Sequence, residues 1–300
     1  KWTIDFQGSK NPFLSSRSTD QASVLVAQLT LPNNLGGIGD KAQELLTKKL
    51  NNALDVLRLI VAANFYESGI NFHCESILHG SMFSVESEKP FSNYHRQGFY
   101  PKDSGAIYHE FKEEEISLFG NLFNSLEKKL NLIDDESRIL GEPHEITYHR
   151  YRDTLLSSTL NMERTVKCMV VVQAALMRES EGFKRGASAK LATRFAKLLE
   201  YSIGIDFVEV REQFKTAYEI RSKYVHGGLP TEKQVEFSQR KTHILMNYTR
   251  IVVSIVLQLH PNVGKDGLID RLESSQHDKA VREVFKKELQ SLVISRARLD

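Results

Sequence analysis

The segment from Tyr218 to Gly228 holds the side chains of this chain that are best suited to chemistry. Arg221 and His226 stand five positions apart there, at the end of a helical pattern that Gly227 and Gly228 terminate. Arginine is a permanent cation that clamps phosphate, and histidine can take or give a proton near neutral pH. The pair therefore indicates chemistry on a phosphodiester, with RNA as the expected substrate.

Cleavage of RNA needs no metal ion if a base removes the 2′-hydroxyl proton and cations stabilise the pentavalent phosphorus. We expect His226 to serve as the general base or acid and Arg221 to hold the scissile phosphate. Ser222 and Tyr224 are candidate auxiliary residues beside them. The sequence thus predicts a site that uses neither a metal nor a cofactor.

The spacing of the pair imposes a geometric condition. Five residues at about 100° each leave two side chains about 140° apart around a regular helix. Arg221 and His226 converge only if the last turn is distorted or if two protomers share the site. The alternative without catalysis is an ordinary salt bridge of Arg221 and a helix end capped by His226. Tyr224 is either a substrate contact or a buried aromatic, and Tyr218, Ile220 and Val225 are expected in the core.

A group of cations lies near a predicted helix start upstream of this motif. Lys184 and Arg185 fall in a loop, and Lys190 and Arg194 fall on the helix that follows. Together with Lys223, they are the residues that we expect to contact an RNA backbone. A solvated helix face accounts for the same pattern, so both interpretations stay open here.

The other histidine and cysteine residues do not have the spacing of a metal site. His73, Cys74 and His79 fit neither a zinc finger nor a helical i, i+4 pair, so we expect them to be structural. His144 and His149 are also five positions apart and are predicted to lie on the surface.

The composition is that of an ordinary soluble globular protein. The 300 residues are 41% hydrophobic and 26% charged, which excludes an intrinsically disordered chain. A net charge of +2 neither requires nor excludes a nucleic-acid partner. Two cysteines are too few for a disulfide framework, so we expect a reducing, cytoplasmic location. The most apolar run, residues 251–259, is about half as long as a membrane-spanning helix, and we expect neither a signal peptide nor a membrane role.

Residues 1–142 are predicted to form a smaller N-terminal region of mixed α/β or irregular structure. Short apolar runs, turn residues and one helical stripe alternate there. We expect a strand at 23–31, a helix at 40–64, a strand pair or irregular insertion at 70–110 and a helix at 113–132. The pattern assigns no role to this region.

Residues 143–300 are predicted to form a helical domain, so the expected fold class is mainly α. Hydrophobic residues recur with a period near 3.6 and are interrupted by glycine and proline. The fifth long helix is expected to stop at Pro261 and Gly264. The predicted helices cover residues 143–161, 162–180, 188–203, 208–226 and 231–260, followed by short helices at 268–272 and 279–293.

The motif Arg221-Ser-Lys-Tyr-Val-His226-Gly, with two amphipathic helices before it, resembles the HEPN domains, particularly the Apea-like branch. The helices contain the segments 168–176 and 190–199, and the resemblance covers residues 145–260. It implies an up-and-down bundle of four or five helices that forms a homodimer. It also implies a metal-independent endoribonuclease of a toxin or defence system. Arg221 and His226 match the catalytic pair of the family, and Ser222 matches its auxiliary polar position.

Two positions depart from the pattern of many active HEPN domains. Ser222 stands where asparagine, aspartate or histidine follows the arginine, and segment 171–174 reads Val-Val-Gln-Ala where a glutamate is common. Three functions therefore stay open. They are a ribonuclease that cuts single-stranded RNA under an antitoxin or other regulator, a non-catalytic HEPN module that binds RNA, a nucleotide or a protein, and a helical interaction protein without a nucleic-acid role.

Overall fold

A computed structural model of the chain shows a mainly α-helical protein. It divides into two compact units, one made of residues 1–54 and 66–98 and the other of residues 55–65 and 99–300. The structure describes residues 2–8, 23–29, 48, 51–60, 71–72, 75–78, 81–84, 87–88, 113–133, 141–157, 160–181 and 186–296.

The strands of the first unit pair locally in antiparallel fashion. β1 (Trp2–Gly8) pairs with β2 (Ser23–Leu29), in a register that joins Trp2 to Leu29 and Gly8 to Ser23. The predicted strand at 23–31 is thus confirmed over 23–29, a stretch rich in the apolar and β-branched residues that favour strands. Two further antiparallel pairs form two-stranded sheets of their own. One joins β3 (Asn71–Phe72) to β6 (Ser87–Glu88), and the other joins β4 (Glu75–Leu78) to β5 (Ser81–Ser84).

The second unit consists of helices whose bounds follow the sequence pattern closely. α1 covers residues 51–60, and its part from residue 55 onward belongs to this unit. A short 3-10 turn at Glu179–Glu181 precedes α5. The other helices are α2 (Glu113–Ile133), α3 (Pro143–Ser157), α4 (Asn161–Leu176), α5 (Ala187–Ile203), α6 (Phe207–Val225), α7 (Glu232–His277) and α8 (Lys279–Gln290).

The core of this unit is centred on α4 and α7, which pack against each other and against α3, α5 and α6. Cys168, Met169 and Val172 of α4 are fully buried because they recur at the helical spacing that faces one side. An aromatic cluster joins three helices: the Phe195 ring lies 4.9 Å from that of Phe214 and 6.4 Å from that of Tyr248. These contacts fix α6, and with it the candidate motif, against α5 and α7.

The helical unit begins earlier in the chain than the predicted boundary at residue 143. The Tyr151 hydroxyl donates to the carbonyl of Arg58 at 2.7 Å, and Arg250 Nη1 donates to the carbonyl of Leu59 at 2.8 Å. Both acceptors belong to α1, and both donors are buried. Packing therefore includes the end of α1 in the same compact unit as the later helices.

Helix α7 continues past Pro261, so this part of the predicted helix end is wrong, but its backbone breaks at Gly264, the second predicted stop. The helix runs to His277, and its backbone departs from helical geometry only at Gly264, where φ is 66° and ψ is 172°. Proline has no N–H, which leaves the carbonyl of Leu257 without its helical donor. Lys129 Nζ of α2 donates to that carbonyl at 2.8 Å and so replaces the hydrogen bond that the N–H of residue 261 would make in a regular helix.

Among the described helices, none combines the length and the apolar character that a membrane span requires.

Candidate functional site

Helix α6 carries the candidate motif in its last turns and is anchored at both ends. The Asp206 side chain caps its start by accepting the N–H of Glu209 at 2.7 Å. Phe214, Ala217 and Ile220 are buried on the side that faces the rest of the unit. The side chains on the opposite face, including the end of the motif, are left towards solvent.

The C-terminus of α6 ends in a glycine turn that lies beyond His226. Gly227 has a φ of 72°, and the N–H of Gly228 donates to the Lys223 carbonyl at 2.8 Å, as in a Schellman motif. The N–H of His226 still donates to the Ser222 carbonyl at 3.2 Å, the bond of a regular helix. His226 is the C-cap residue of α6, with a φ of −94° and a ψ of 11°, as the alternative without catalysis expects. Because the helical hydrogen bond includes His226, regular helix geometry places its side chain about 140° around the axis from Arg221.

Arg221 is half-buried and carries no ion pair within the part of the chain that the structure describes. Its guanidinium carbon lies 5.9 Å from the centre of the Tyr218 ring, and its buried Nε has no hydrogen-bond partner. The salt bridge of the non-catalytic alternative is thus not observed. A guanidinium in this condition retains its capacity to bind an anion.

The residues around His226 are exposed rather than buried. His226 is exposed and Ser222 is half-buried. Tyr224 is 52% exposed, Val225 53% and Leu229 89%. The predicted core position of Val225 and the buried alternative for Tyr224 are therefore wrong, because α6 projects its last turn beyond the helices that cover its middle. Of the other predicted core residues, Ile220 is buried and Tyr218 is only half-buried. The chain thus presents an apolar surface next to a histidine.

Lys223 is tied to the start of α7. Its Nζ donates to Oε1 of Gln234 at 3.0 Å, and the same oxygen accepts the N–H of Thr231 at 3.0 Å. Thr231 and Gln234 form the capping box of α7, so Lys223 joins the end of one helix to the start of the next. Its charge remains available to an anion, but one of its hydrogen bonds serves the fold.

The guanidinium of Arg194 is held by carboxylates of the fold, which corrects its predicted role as an RNA contact. Its side chain is 2% exposed, and Nη1 and Nη2 each donate to one carboxylate oxygen of Glu181 at 2.6 Å. Nη2 also pairs with Glu273, and Nη1 with the Leu176 carbonyl. The hydrogen bonds from Arg194 lower the pKa of Glu181 to about 2. This guanidinium is a structural element of the α5–α7 contact.

Lys190 is the exposed member of the predicted basic group. Its Nζ lies 4.0 Å from Oε1 of Glu181, and it lines a cleft of about 610 Å³ with Thr193, Glu273 and His277. None of the α6 motif residues lines this cleft. Lys184 and Arg185 lie outside the described residues.

The remaining histidines are distributed as follows. His149 is exposed, whereas His144 is half-buried and stacks on His260 with ring centres 3.8 Å apart, so its predicted surface position is wrong. Burial lowers the pKa of His260. His73, Cys74 and His79 lie outside the described residues, and within those residues no group of His, Cys, Asp and Glu has the arrangement of a metal site.

Two cations of α6 were not singled out from the sequence. Arg211 and Lys215 lie 15 and 11 positions before His226, which are close to whole numbers of helical turns. They therefore lie on the same face of the helix as His226. Counting back from His226 by helical turns along the predicted helix at 208–226 would have found them.

In comparisons with models of protein families, with curated proteins and with solved structures, this chain shows no match.

Proposed function

We propose that the chain is a HEPN-type endoribonuclease that cleaves single-stranded RNA without a metal ion. The observation that supports this proposal is the state of Arg221, a guanidinium without a carboxylate partner in the described residues, five positions before an exposed histidine. The buried Arg194, by contrast, is paired with Glu181 and Glu273. Arg221 retains its charge for a ligand.

In the proposed reaction, the His226 imidazole removes the proton of the ribose 2′-hydroxyl. The 2′-oxygen then forms a bond to phosphorus while the bond from phosphorus to the 5′-oxygen breaks. The leaving oxygen receives a proton from a water molecule, and the His226 imidazolium gives its proton to the hydroxide that remains. Arg221 binds the non-bridging oxygens and stabilises their charge in the transition state. The products are a 2′,3′-cyclic phosphate and a 5′-hydroxyl. Ser222 is an auxiliary hydrogen-bonding group, and the exposed ring of Tyr224 is a platform for a base.

The proposed site takes Arg221 from one protomer and His226 from another. The regular last turn of α6 keeps the two side chains apart within a chain, whereas a two-fold axis beside this helix would place two copies of each in one cleft. Tyr224, Val225 and Leu229 supply exposed apolar area next to that axis. A cytoplasmic homodimer, acting in a toxin or defence system under a regulatory partner, is the biological setting that we propose.

A second candidate is a HEPN module that binds RNA, a nucleotide or a protein without cleaving RNA. Ser222 and Gln173 favour it, since both stand where many active members carry other residues. Gln173 is half-buried on α4, between the buried Val172 and Ala175. The same groove would then bind a ligand with strong salt sensitivity and no turnover.

The proposal is tested by incubating labelled single-stranded RNA with the purified protein in EDTA. His226→Ala and Arg221→Ala are each expected to lose cleavage by about 10²-fold or more. His243→Ala and Arg240→Ala, which remove an exposed histidine and an exposed arginine of α7, are the matched controls and are expected to cleave normally. Wild-type cleavage that is no faster than that of His226→Ala would refute a ribonuclease.

A further inference from the structure

One face of α6 carries more than the motif itself. At about 100° per residue, Arg211, Lys215, Ser222 and His226 fall within about 60° around the helix axis. The Tyr218 ring lies about 20° to one side of Arg211 in the same projection. All five side chains are at least partly accessible to solvent. The face thus contains two cations, an aromatic ring, a hydroxyl and an imidazole in a single row.

The row has the length of an extended polymer rather than of a small ligand. From Arg211 to His226 it spans about 22 Å at 1.5 Å per residue. The cations stand at the N-terminal end of the row and the histidine at its C-terminal end. A ligand that fits this order has negative charge at a distance from the group on which His226 acts.

The charges of this face are only partly neutralised. Arg211 and Lys215 share one carboxylate: Glu212 Oε1 lies 4.0 Å from Arg211 Nη1 and 2.6 Å from Lys215 Nζ. The hydrogen bond from Lys215 lowers the pKa of the exposed Glu212. The buried Nε of Arg211 has no hydrogen-bond partner. Exposed pairs within a helix are weak, so a phosphate can replace Glu212 as the partner of either cation.

We infer, on the basis of the proposed function, that this face of α6 is a track for the RNA strand on one side of the scissile phosphate. Arg211 and Lys215 hold backbone phosphates, Tyr218 stacks with a base, and the strand then reaches His226. The substrate is therefore a single strand that extends several nucleotides from the cleaved bond. Arg211 and Lys215 are positioning residues, because they act on phosphates that do not react.

The experiment measures binding in the absence of cleavage, with a fluorescent single-stranded RNA of about twelve nucleotides and the His226→Ala protein. In this background, Arg211→Gln combined with Lys215→Gln is compared with Lys279→Gln combined with Lys287→Gln. The control pair removes two exposed cations of α8 and changes the net charge equally. Circular dichroism confirms that each variant is folded.

The variant with both Arg211→Gln and Lys215→Gln, the track variant, is expected to reduce the slope of log K against log salt by about 1.4. Each phosphate contact contributes about 0.7 to this slope for a single strand. The α8 control is expected to leave the slope unchanged. Glu212→Gln supplies an effect of opposite sign, because it frees both cations: it is expected to tighten binding several-fold. A damaged fold cannot produce that increase.

Equal slopes for the track variant and the α8 control, or weaker binding by Glu212→Gln, would overturn the inference. If the wild-type protein still cleaves RNA in EDTA in that case, the proposed function stands without the track. If the track variant and Glu212→Gln shift binding as expected but the wild-type protein cleaves nothing, the track stands and the non-catalytic RNA-binding function replaces the ribonuclease.

Discussion

Arg194 on α5 and Arg221 on α6 are both arginines, but they differ in burial and in ion pairing. The guanidinium of Arg194 is buried and is held by Glu181, by Glu273 and by a backbone carbonyl. That of Arg221 is half-buried, stands over the edge of an aromatic ring and has no carboxylate partner in the described part of the chain. One arginine is committed to the fold, and the other is available to a ligand.

The difference shows that a basic residue indicates an anion site only when carboxylates of the fold do not fully neutralise its charge. The partners of Arg194 are 13 and 79 positions away along the chain. Burial of this group without them would cost several kcal/mol, so its carboxylates are required by the fold. The guanidinium of Arg221 is partly exposed to solvent, so replacing its bound water with a phosphate costs much less free energy than desolvating a buried charge.

The largest expected effect separates the two arginines by stability. Arg194→Met leaves Glu181 and Glu273 close together with only the half-buried Arg178 between them, and we expect it to lower the free energy of unfolding by about 3–5 kcal/mol. Arg221→Met removes no ion pair, so we expect a loss below about 1 kcal/mol. Urea unfolding followed by circular dichroism measures both. Equal losses in the two variants would remove the distinction between them.

The next effect concerns the shape of the Arg221 guanidinium rather than its charge. Arg221→Lys retains the cation but loses the planar fork that binds two phosphate oxygens. We expect a loss of about 10²-fold in the rate of RNA cleavage, with the unfolding midpoint unchanged. Arg240→Lys, in which the wild-type arginine pairs with Glu236 on the surface, serves as the control and is expected to retain full activity. An active Arg221→Lys would show that charge alone suffices.

The third effect tests a cation that serves the fold without any carboxylate. Lys129→Met removes the donor to the carbonyl that Pro261 leaves free in α7. We expect this change to lower the free energy of unfolding by about 1–2 kcal/mol, the cost of one unsatisfied buried acceptor. Lys279→Met, on the exposed start of α8, is the matched control. No difference between these variants would mean that water replaces the lysine.

The last effect is a pH dependence of stability at the pair of Glu181 and Arg194, to which Arg178 also contributes. Hydrogen bonding from Arg194 lowers the pKa of Glu181 from the usual 4.5 to about 2 in the folded state. The unfolded chain therefore binds this proton first, so the contribution is complete above about pH 4.5 and is lost as the pH falls towards 2. Stability measured across this range is expected to fall less steeply in Glu181→Gln than in the wild type, whereas Glu219→Gln on α6 keeps the wild-type slope. A Glu181→Gln slope equal to that of the wild type would contradict the pair.

Local helical pattern predicted the elements that carry the motif to within a residue or two. The expected helix at 208–226 is α6 (Phe207–Val225), and the expected helix at 188–203 is α5 (Ala187–Ile203). Caps and glycine stops are encoded by adjacent residues, so a short window contains the information. The glycine turn after His226 was predicted for the same reason.

Tertiary contacts explain what the pattern missed. α7 continues past Pro261 because a lysine 128 positions away supplies the missing hydrogen bond to Leu257. Arg194 was assigned to RNA because Glu273 lies far from it in the sequence. The prediction placed Val225 in the core because hydrophobic periodicity shows which face of a helix is apolar. It does not show where the neighbouring helices stop covering that face.

The central claim, a site shared between protomers, is tested most directly by complementation. Arg221→Ala and His226→Ala proteins, each inactive alone, are unfolded, mixed and refolded together so that mixed dimers form. A shared site leaves one of the two Arg221–His226 pairs of each mixed dimer intact, and we expect about a quarter of wild-type cleavage in the mixture. A mixture as inactive as its two components would contradict the shared site.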